Sequence, residues 1–161
     1  MAATGSTLRD LYLAKKPTRV LGLIEEDPEM RTDVMTSVML DFRSGQCAFT
    51  CGTQLVPYQR VQILGTQGRI EVEIPLNAPP DQRCRIFIDD GVDPSGRSAE
   101  ILEFETCDQY TIQGDLFSQS IRQGTELPIP LEGSVRNMSV IEAIFRSAKS
   151  GKWEEPLVTG L

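Results

Sequence analysis

The stretch from Val61 to Ile74 constrains this chain more than any other. Val61 and Ile63 alternate with polar residues, and Ile70, Val72 and Ile74 then alternate with Arg69, Glu71 and Glu73. Period-two alternation marks a strand with one buried and one wet face. Gly65-Thr66-Gln67-Gly68 lies between the two runs. Two glycines in so short a connector can supply the positive φ angles of a tight hairpin. This hairpin is the clearest centre for a sheet that the other strand-like runs can join.

The chain has 161 residues, enough for one domain with a core, and 40% of them are hydrophobic. No run is long and apolar enough to cross a membrane. Met1 to Thr7 lacks the basic and apolar regions of a secretory signal, so a cytoplasmic protein is expected. Acidic residues outnumber basic ones 23 to 16, and no Lys/Arg cluster stands out. A nucleic-acid or anionic-membrane surface is therefore disfavoured.

Histidine is absent. That excludes a histidine general base, a Ser-His-Asp triad and any zinc site that needs imidazole. The four cysteines are Cys47, Cys51, Cys84 and Cys107, with no Cys-x-x-Cys pair among them. Cys47 and Cys51 on one strand would lie roughly 13 Å apart at ~3.3 Å per residue, too far for a disulfide. Alternating with Phe49, they read as small core residues in a reducing compartment.

In chain order, Leu8 to Lys16 predicts a short helix capped by Thr7 and stopped by Pro17. Strands are expected over 18–25, 33–42, 47–54, the hairpin, 84–89 and 99–106. In the second, Val34, Val38, Leu40 and Phe42 face one way, and Met35, Ser37, Met39 and Asp41 the other. The period then changes to about 3.6. Asp108 caps a helix running through Gln123, with Tyr110, Phe117 and Ile121 on one stripe and Gly124 at its end. A second helix runs from Glu132 to Ser150, with Val135, Met138, Ile141, Phe145 and Ala148 as its apolar face and Gly151 as its stop. Trp153 to Leu161 is a tail or a short edge strand.

Strands followed by helices give an α+β fold: a largely antiparallel, open-faced β-sheet with two C-terminal helices packed on one face. The expected organisation is a remnant helix or leader over 1–16, one domain over 17–156 and a tail over 157–161. Met35, Ser37 and Met39 lie on the sheet's other face. Its apolar content points to burial against a second copy, a homodimer through the sheet.

Candidate chemistry is sparse. No Gly-x-Gly-x-x-Gly follows a strand, and there is no phosphate-binding loop and no serine nucleophile elbow. Asp89, Asp90 and Asp93 sit beside Gly91 and Gly96, but their spacing departs from a calcium loop and no bidentate glutamate follows. A solvated loop is the expectation, with no metal site and no catalytic residue. Tyr58 and Arg60, two apart on a strand, share a face and suit a sugar or carboxylate; surface residues beside an interface are the alternative. Gln113 and Asn137, one on each helix, are further candidate substrate contacts.

Several segments resemble one family, the nicotinamide-dependent oxidoreductases of the Gfo/Idh/MocA type (glucose-fructose oxidoreductase, inositol dehydrogenase, rhizopine catabolism protein). They are Val61-x-Ile63-x-Gly65-Thr66-x-Gly68-Arg69-Ile70, Val38-x-Leu40-x-Phe42-x-x-Gly45-Gln46, Tyr110-Thr111-Ile112-Gln113-Gly114-Asp115-x-Phe117, and the helix from Val135 to Ala148. Together they cover most of residues 17–156. The resemblance implies a C-terminal domain that completes a substrate pocket and makes subunit contacts. It also implies an N-terminal Rossmann domain, absent from this chain, that binds NAD(P) in a full-length parent. The family's Glu-Lys-Pro motif is missing, and Asp10 and Tyr12 are two apart rather than four, so its catalytic pair is not carried onto them.

Two functions follow as expectations. The first is the substrate-binding and dimerisation domain of an NAD(P)-dependent oxidoreductase acting on a sugar, polyol or related alcohol. The second is a self-standing sheet domain that serves as a binding or homo-oligomerisation module. Both predict no cofactor bound by this chain and no turnover by it alone.

Overall fold

The computed structural model describes residues 16–127 and 129–157. Seven strands and two helices follow in chain order: β1 (Arg19–Glu26), β2 (Asp33–Phe42), β3 (Gly45–Gly52), β4 (Val61–Leu64), β5 (Arg69–Val72), β6 (Cys84–Asp89), β7 (Glu100–Phe104), α1 (Gln109–Gln123) and α2 (Leu131–Ser150). All recorded strand pairs are antiparallel, and the α+β class stands. The helix expected over 8–16 lies outside the described residues apart from Lys16, as do residues 158–161 of the tail.

The strands form two sheets rather than one, ordered β1-β2-β3 and β4-β5-β6-β7. Alternation fixes which face of a strand is buried but not which strands are neighbours. The chain correspondingly divides into two compact units. One comprises the chain up to Leu55 and again from 129 onward; the other is Val56–Leu127.

In the first unit, Val20 and Val38 are buried with Ala143 and Ile144 of α2, and Ile24, Leu40 and Val140 pack against them. Each fully buried aliphatic side chain of this kind contributes ~1.5–3 kcal/mol. The expected face of β2 is the one that goes inward, with Thr36 and Val38 buried, whereas Met35 and Met39 are exposed. The outer edge of β1 is closed by the tail. Val20 N donates to the Glu154 carbonyl at 2.8 Å, and Glu154 N returns a bond to the Val20 carbonyl at 3.0 Å.

The packed face of α2 differs from the expected one. Ser139, Ala143, Ile144 and Ser147 are buried, whereas Met138, Ile141 and Phe145 are exposed. The cause lies on β1. A Cβ on Gly22 would stand 2.8 Å from Ile144 Cγ2 and 3.0 Å from the Ile144 carbonyl oxygen. Glycine lets the helix approach the strand closely, and a close approach selects small side chains on the helix.

In the second unit, β4 pairs with β5 in the register Val61↔Val72 and Ile63↔Ile70, as expected of the hairpin. Of its two glycines only Gly68 has a positive φ, 152°. A Cβ there would fall 2.4 Å from the Asp89 carbonyl oxygen on the neighbouring β6, so the close approach also requires glycine. Helix α1 begins and ends where expected. Asp108 accepts from Tyr110 N and Thr111 N, and Gly124 closes the helix in the left-handed region at φ 64°. Its stripe residues Tyr110, Phe117 and Ile121 are exposed, and Ser120 is its buried residue.

Cys47 and Cys51 do share β3, and all four cysteines are free thiols. Their expected role as small core residues is only half met. Cys47 is half-buried, and burial pushes its thiol pKa up, but Cys51 is exposed.

Candidate functional site

Tyr58 and Arg60 lie in the segment leading into β4 rather than within a strand. They nevertheless meet, with the Arg60 guanidinium carbon 5.5 Å from the Tyr58 ring centroid. The tyrosine is 75% exposed, so one face of its ring carries the cation and the rest is open.

Arg60 is fully engaged from below. Its Nε lies 3.1 Å from Glu71 Oε1 and its Nη2 3.4 Å from Glu73 Oε1. Its Nη1 donates to the carbonyls of Gln59, at 3.3 Å, and Glu73. Glu73 also receives Arg85, Nη2 to Oε1 at 2.6 Å and Nε to Oε2 at 3.0 Å. The hydrogen bonds from Arg85, opposed by burial, hold the Glu73 carboxyl below the ordinary range, and Arg60 adds to the effect. Two arginines are thus balanced by two glutamates. These glutamates are the alternate residues that the hairpin pattern placed on its wet face.

Gln59 extends the neighbourhood. Its Oε1 accepts Leu76 N at 3.3 Å and Asn77 N at 3.2 Å, anchoring the proline-rich loop after β5. The loop is tied in turn to the first turn of α1. Gln109 Nε2 donates to the Leu76 carbonyl at 3.1 Å, and the Tyr110 hydroxyl donates to Asn77 Oδ1 at 3.4 Å. Three of the expected contacts, Tyr58, Arg60 and Gln113, therefore fall in one unit, the first two within this network and Gln113 one turn further along α1. Asn137 is exposed on α2, in the other unit. Gln59, Asn77 and Gln109 were not legible as site residues. Their bonds join segments up to 33 residues apart, and no local pattern marks them.

Met35, Ser37 and Met39 lie on one face of β2, opposite Gly52, Thr50 and Ala48 of β3. The Ser37 and Thr50 hydroxyls are hydrogen-bonded at 2.9 Å. The three aspartates near Gly91 are spent separately. Asp89 is buried against Arg69, Asp90 accepts Val92 N, and Asp93 accepts both the N–H and the hydroxyl of Ser95. Among the described residues no group of three or more His, Cys, Asp or Glu is placed to hold a metal.

Two groups of this neighbourhood that could meet a dinucleotide phosphate are already occupied. Arg60 and Arg85 are committed to glutamates, and the N–H groups that open α1 are occupied by the Asp108 carboxylate, which would repel a phosphate.

This fold is shared with solved oxidoreductases. It is the fold of part of the Gfo/Idh/MocA-type oxidoreductases, consistent with their C-terminal domain, and the chain's relatives are oxidoreductases. The chain is 39% identical over 145 residues to the oxidoreductase ORF334 of Rhizobium meliloti, covering 89% of this chain and 43% of that protein. It is 27% identical over 139 residues to D-xylose 1-dehydrogenase (NADP(+)) 2 of Haloferax volcanii, covering 84% and 40%. Among solved structures it is similar to aldose-aldose oxidoreductase from Caulobacter crescentus complexed with glycerol, with a TM-score of 0.69 and 21% identity over 92% of this chain and 43% of that one. It is also similar to KijD10, a 3-ketoreductase from Actinomadura kijaniata in complex with TDP-benzene and NADP, with a TM-score of 0.75 and 18% identity over 87% and 43%. The chain spans less than half the length of each. No family model matches it.

Proposed function

We propose that this chain is the substrate-shaping and dimerising portion of an NAD(P)-dependent oxidoreductase that acts on a sugar, polyol or related alcohol in the cytoplasm. The observation that carries this reading is 39% identity, across 89% of the chain, to an oxidoreductase more than twice as long. The xylose dehydrogenase and the aldose-aldose oxidoreductase favour a sugar as substrate. NADP accompanies both the xylose dehydrogenase and the ketoreductase, and hydride transfer is chemistry that the cofactor supplies. The committed arginines and the capped helix favour a cofactor site in the part of such enzymes that this chain does not span. Tyr58 and Gln113 contact substrate, and Arg60 holds the Tyr58 ring in place. Met35, Ser37 and Met39 form the face that meets a second copy.

Calorimetric titration of the chain with NADH and NADPH tests the division of labour, together with an assay for aldose-dependent reduction of NAD and NADP. Silence in the titrations and no turnover are expected. Saturable, stoichiometric binding of either nucleotide, or turnover by the chain alone, overturns the reading.

A further inference from the structure

We infer that the neighbourhood of Tyr58, Gln59, Asn77 and Gln109 takes an uncharged polyhydroxy ligand and rejects one carrying a carboxylate or phosphate. This rests on the sugar reading and sharpens it. The arginine beside the exposed tyrosine is the group that an anion would seek, yet every nitrogen of Arg60 is already directed at Glu71, Glu73 or a backbone carbonyl. The second arginine, Arg85, is likewise held by Glu73. A ligand carboxylate would have to displace a glutamate from a guanidinium that already has two carboxylate neighbours. It gains nothing in charge by the exchange and meets like charge on approach.

The remaining polar groups are neutral. Gln59 uses its carbonyl oxygen on the loop, Asn77 its own on Tyr110, and Gln109 its amide nitrogen on Leu76. Among the described residues, no hydrogen bond is recorded for the Gln59 and Asn77 amide nitrogens or the Gln109 amide oxygen. Two donors and one acceptor, each held by its other end, together with the exposed Tyr58 ring of the same unit, suit the hydroxyls and the C–H face of a sugar. Neutral amides and a phenol ring discriminate among hydroxyl patterns and give no reward for charge.

The test uses the whole chain and two ligands of one skeleton, D-glucose and D-glucuronate, followed by saturation-transfer NMR and titration at low salt. Glucose is expected to bind about fivefold more tightly than glucuronate, the scale of repulsion between partly exposed like charges. The preference is expected to shrink in 0.5 M NaCl, and to be lost in the Glu71→Gln/Glu73→Gln double variant, which frees the Arg60 charge. The salt series keeps the test decisive if that variant fails to fold. Glucuronate binding as tightly as glucose, or more tightly, overturns this inference and leaves the sugar reading standing. Binding of neither ligand overturns both.

Discussion

The backbone N–H of Gly22 donates to the Ser147 hydroxyl oxygen at 3.0 Å, and the same hydroxyl donates to the Lys152 carbonyl at 2.6 Å. A fully buried serine on α2 thus satisfies a backbone donor on β1 and an acceptor just beyond the helix end. Ser147→Ala leaves both unpaired and is expected to cost about 2 kcal/mol, the penalty of stranded buried polar groups. Gly22→Ala pushes a methyl group against the Ile144 backbone, which cannot swing aside, and is expected to cost ~1–3 kcal/mol. The two sites touch, so the double variant loses less than the sum. Urea unfolding of the three variants reads all of this, and a Gly22→Ala variant as stable as wild type would refute the close approach.

Arg69 and Asp89 pair across β5 and β6. The Asp89 carboxylate, 2% exposed, accepts Arg69 Nη2 at 3.0 Å and Nε at 3.2 Å, and its other oxygen accepts Gly91 N at 2.7 Å. Arg69→Ala strands a buried carboxylate. The full cost of breaking a buried pair is ~3–5 kcal/mol, and the partial exposure of Arg69 lowers the expected loss to about 2–3 kcal/mol. Arg69→Lys supplies the charge without the fork and recovers part of the loss. Thermal melts of both variants rank them, and equal melting of Arg69→Ala and wild type would show that the pair contributes nothing.

The N-cap of α1 titrates. The Asp108 carboxyl is held below its ordinary value first by the Thr111 hydroxyl, then by the N–H groups of Thr111 and Tyr110. A carboxyl with a depressed folded pKa stabilises fully above its unfolded value of about 3.9, and that contribution is lost as pH falls through the folded value. The acid arm of the stability curve below pH ~4 therefore contains this cap. Glu73, held low chiefly by Arg85, adds to the same arm. Asp108→Asn keeps an acceptor without the charge, and is expected to flatten the acid arm while preserving helicity near pH 7. Circular dichroism against pH checks it, and an unchanged acid arm would remove Asp108 from the account.

Much of the first-order structure was legible, and the reasons it was legible also explain what was not. Asp108, Gly124 and Gly151 act within one turn of the residues they cap, so sequence places the helix ends. The strands follow from alternation, which is equally local. The packed face of α2 was misplaced because it is chosen by Gly22, more than 120 residues away, rather than by the helix's own largest apolar side chains. The partition into two sheets depends on strand neighbours and escapes alternation for the same reason. Within the site, Tyr58 and Arg60 stood out as an aromatic beside a cation. The neutralisation of that cation by Glu71 and Glu73, and the bracing of the loop by Gln59, are cross-strand and cross-loop contacts that only the fold reveals.

The last prediction concerns the exposed face of β2. Met35 is 37% and Met39 45% exposed. Leu21, opposite Met39 on β1, and Ala48, opposite it on β3, extend the same face, and across its middle runs the neutral Ser37–Thr50 hydrogen bond. Leu23, across from Ser37, is exposed as well. Apolar side chains in adjacent strands form a contiguous patch of the kind that oligomers bury, and a two-fold axis through it would bring the patch onto itself. Met39→Asp places a charge at its centre and touches none of the buried residues of the core on the opposite face, so it is expected to leave the melting of the isolated protomer nearly unchanged. In sedimentation equilibrium, wild type is expected to run as a dimer and Met39→Asp as a monomer. A wild type that stays monomeric across the concentration range, or a Met39→Asp variant that stays dimeric, would mean that this face is not where copies meet.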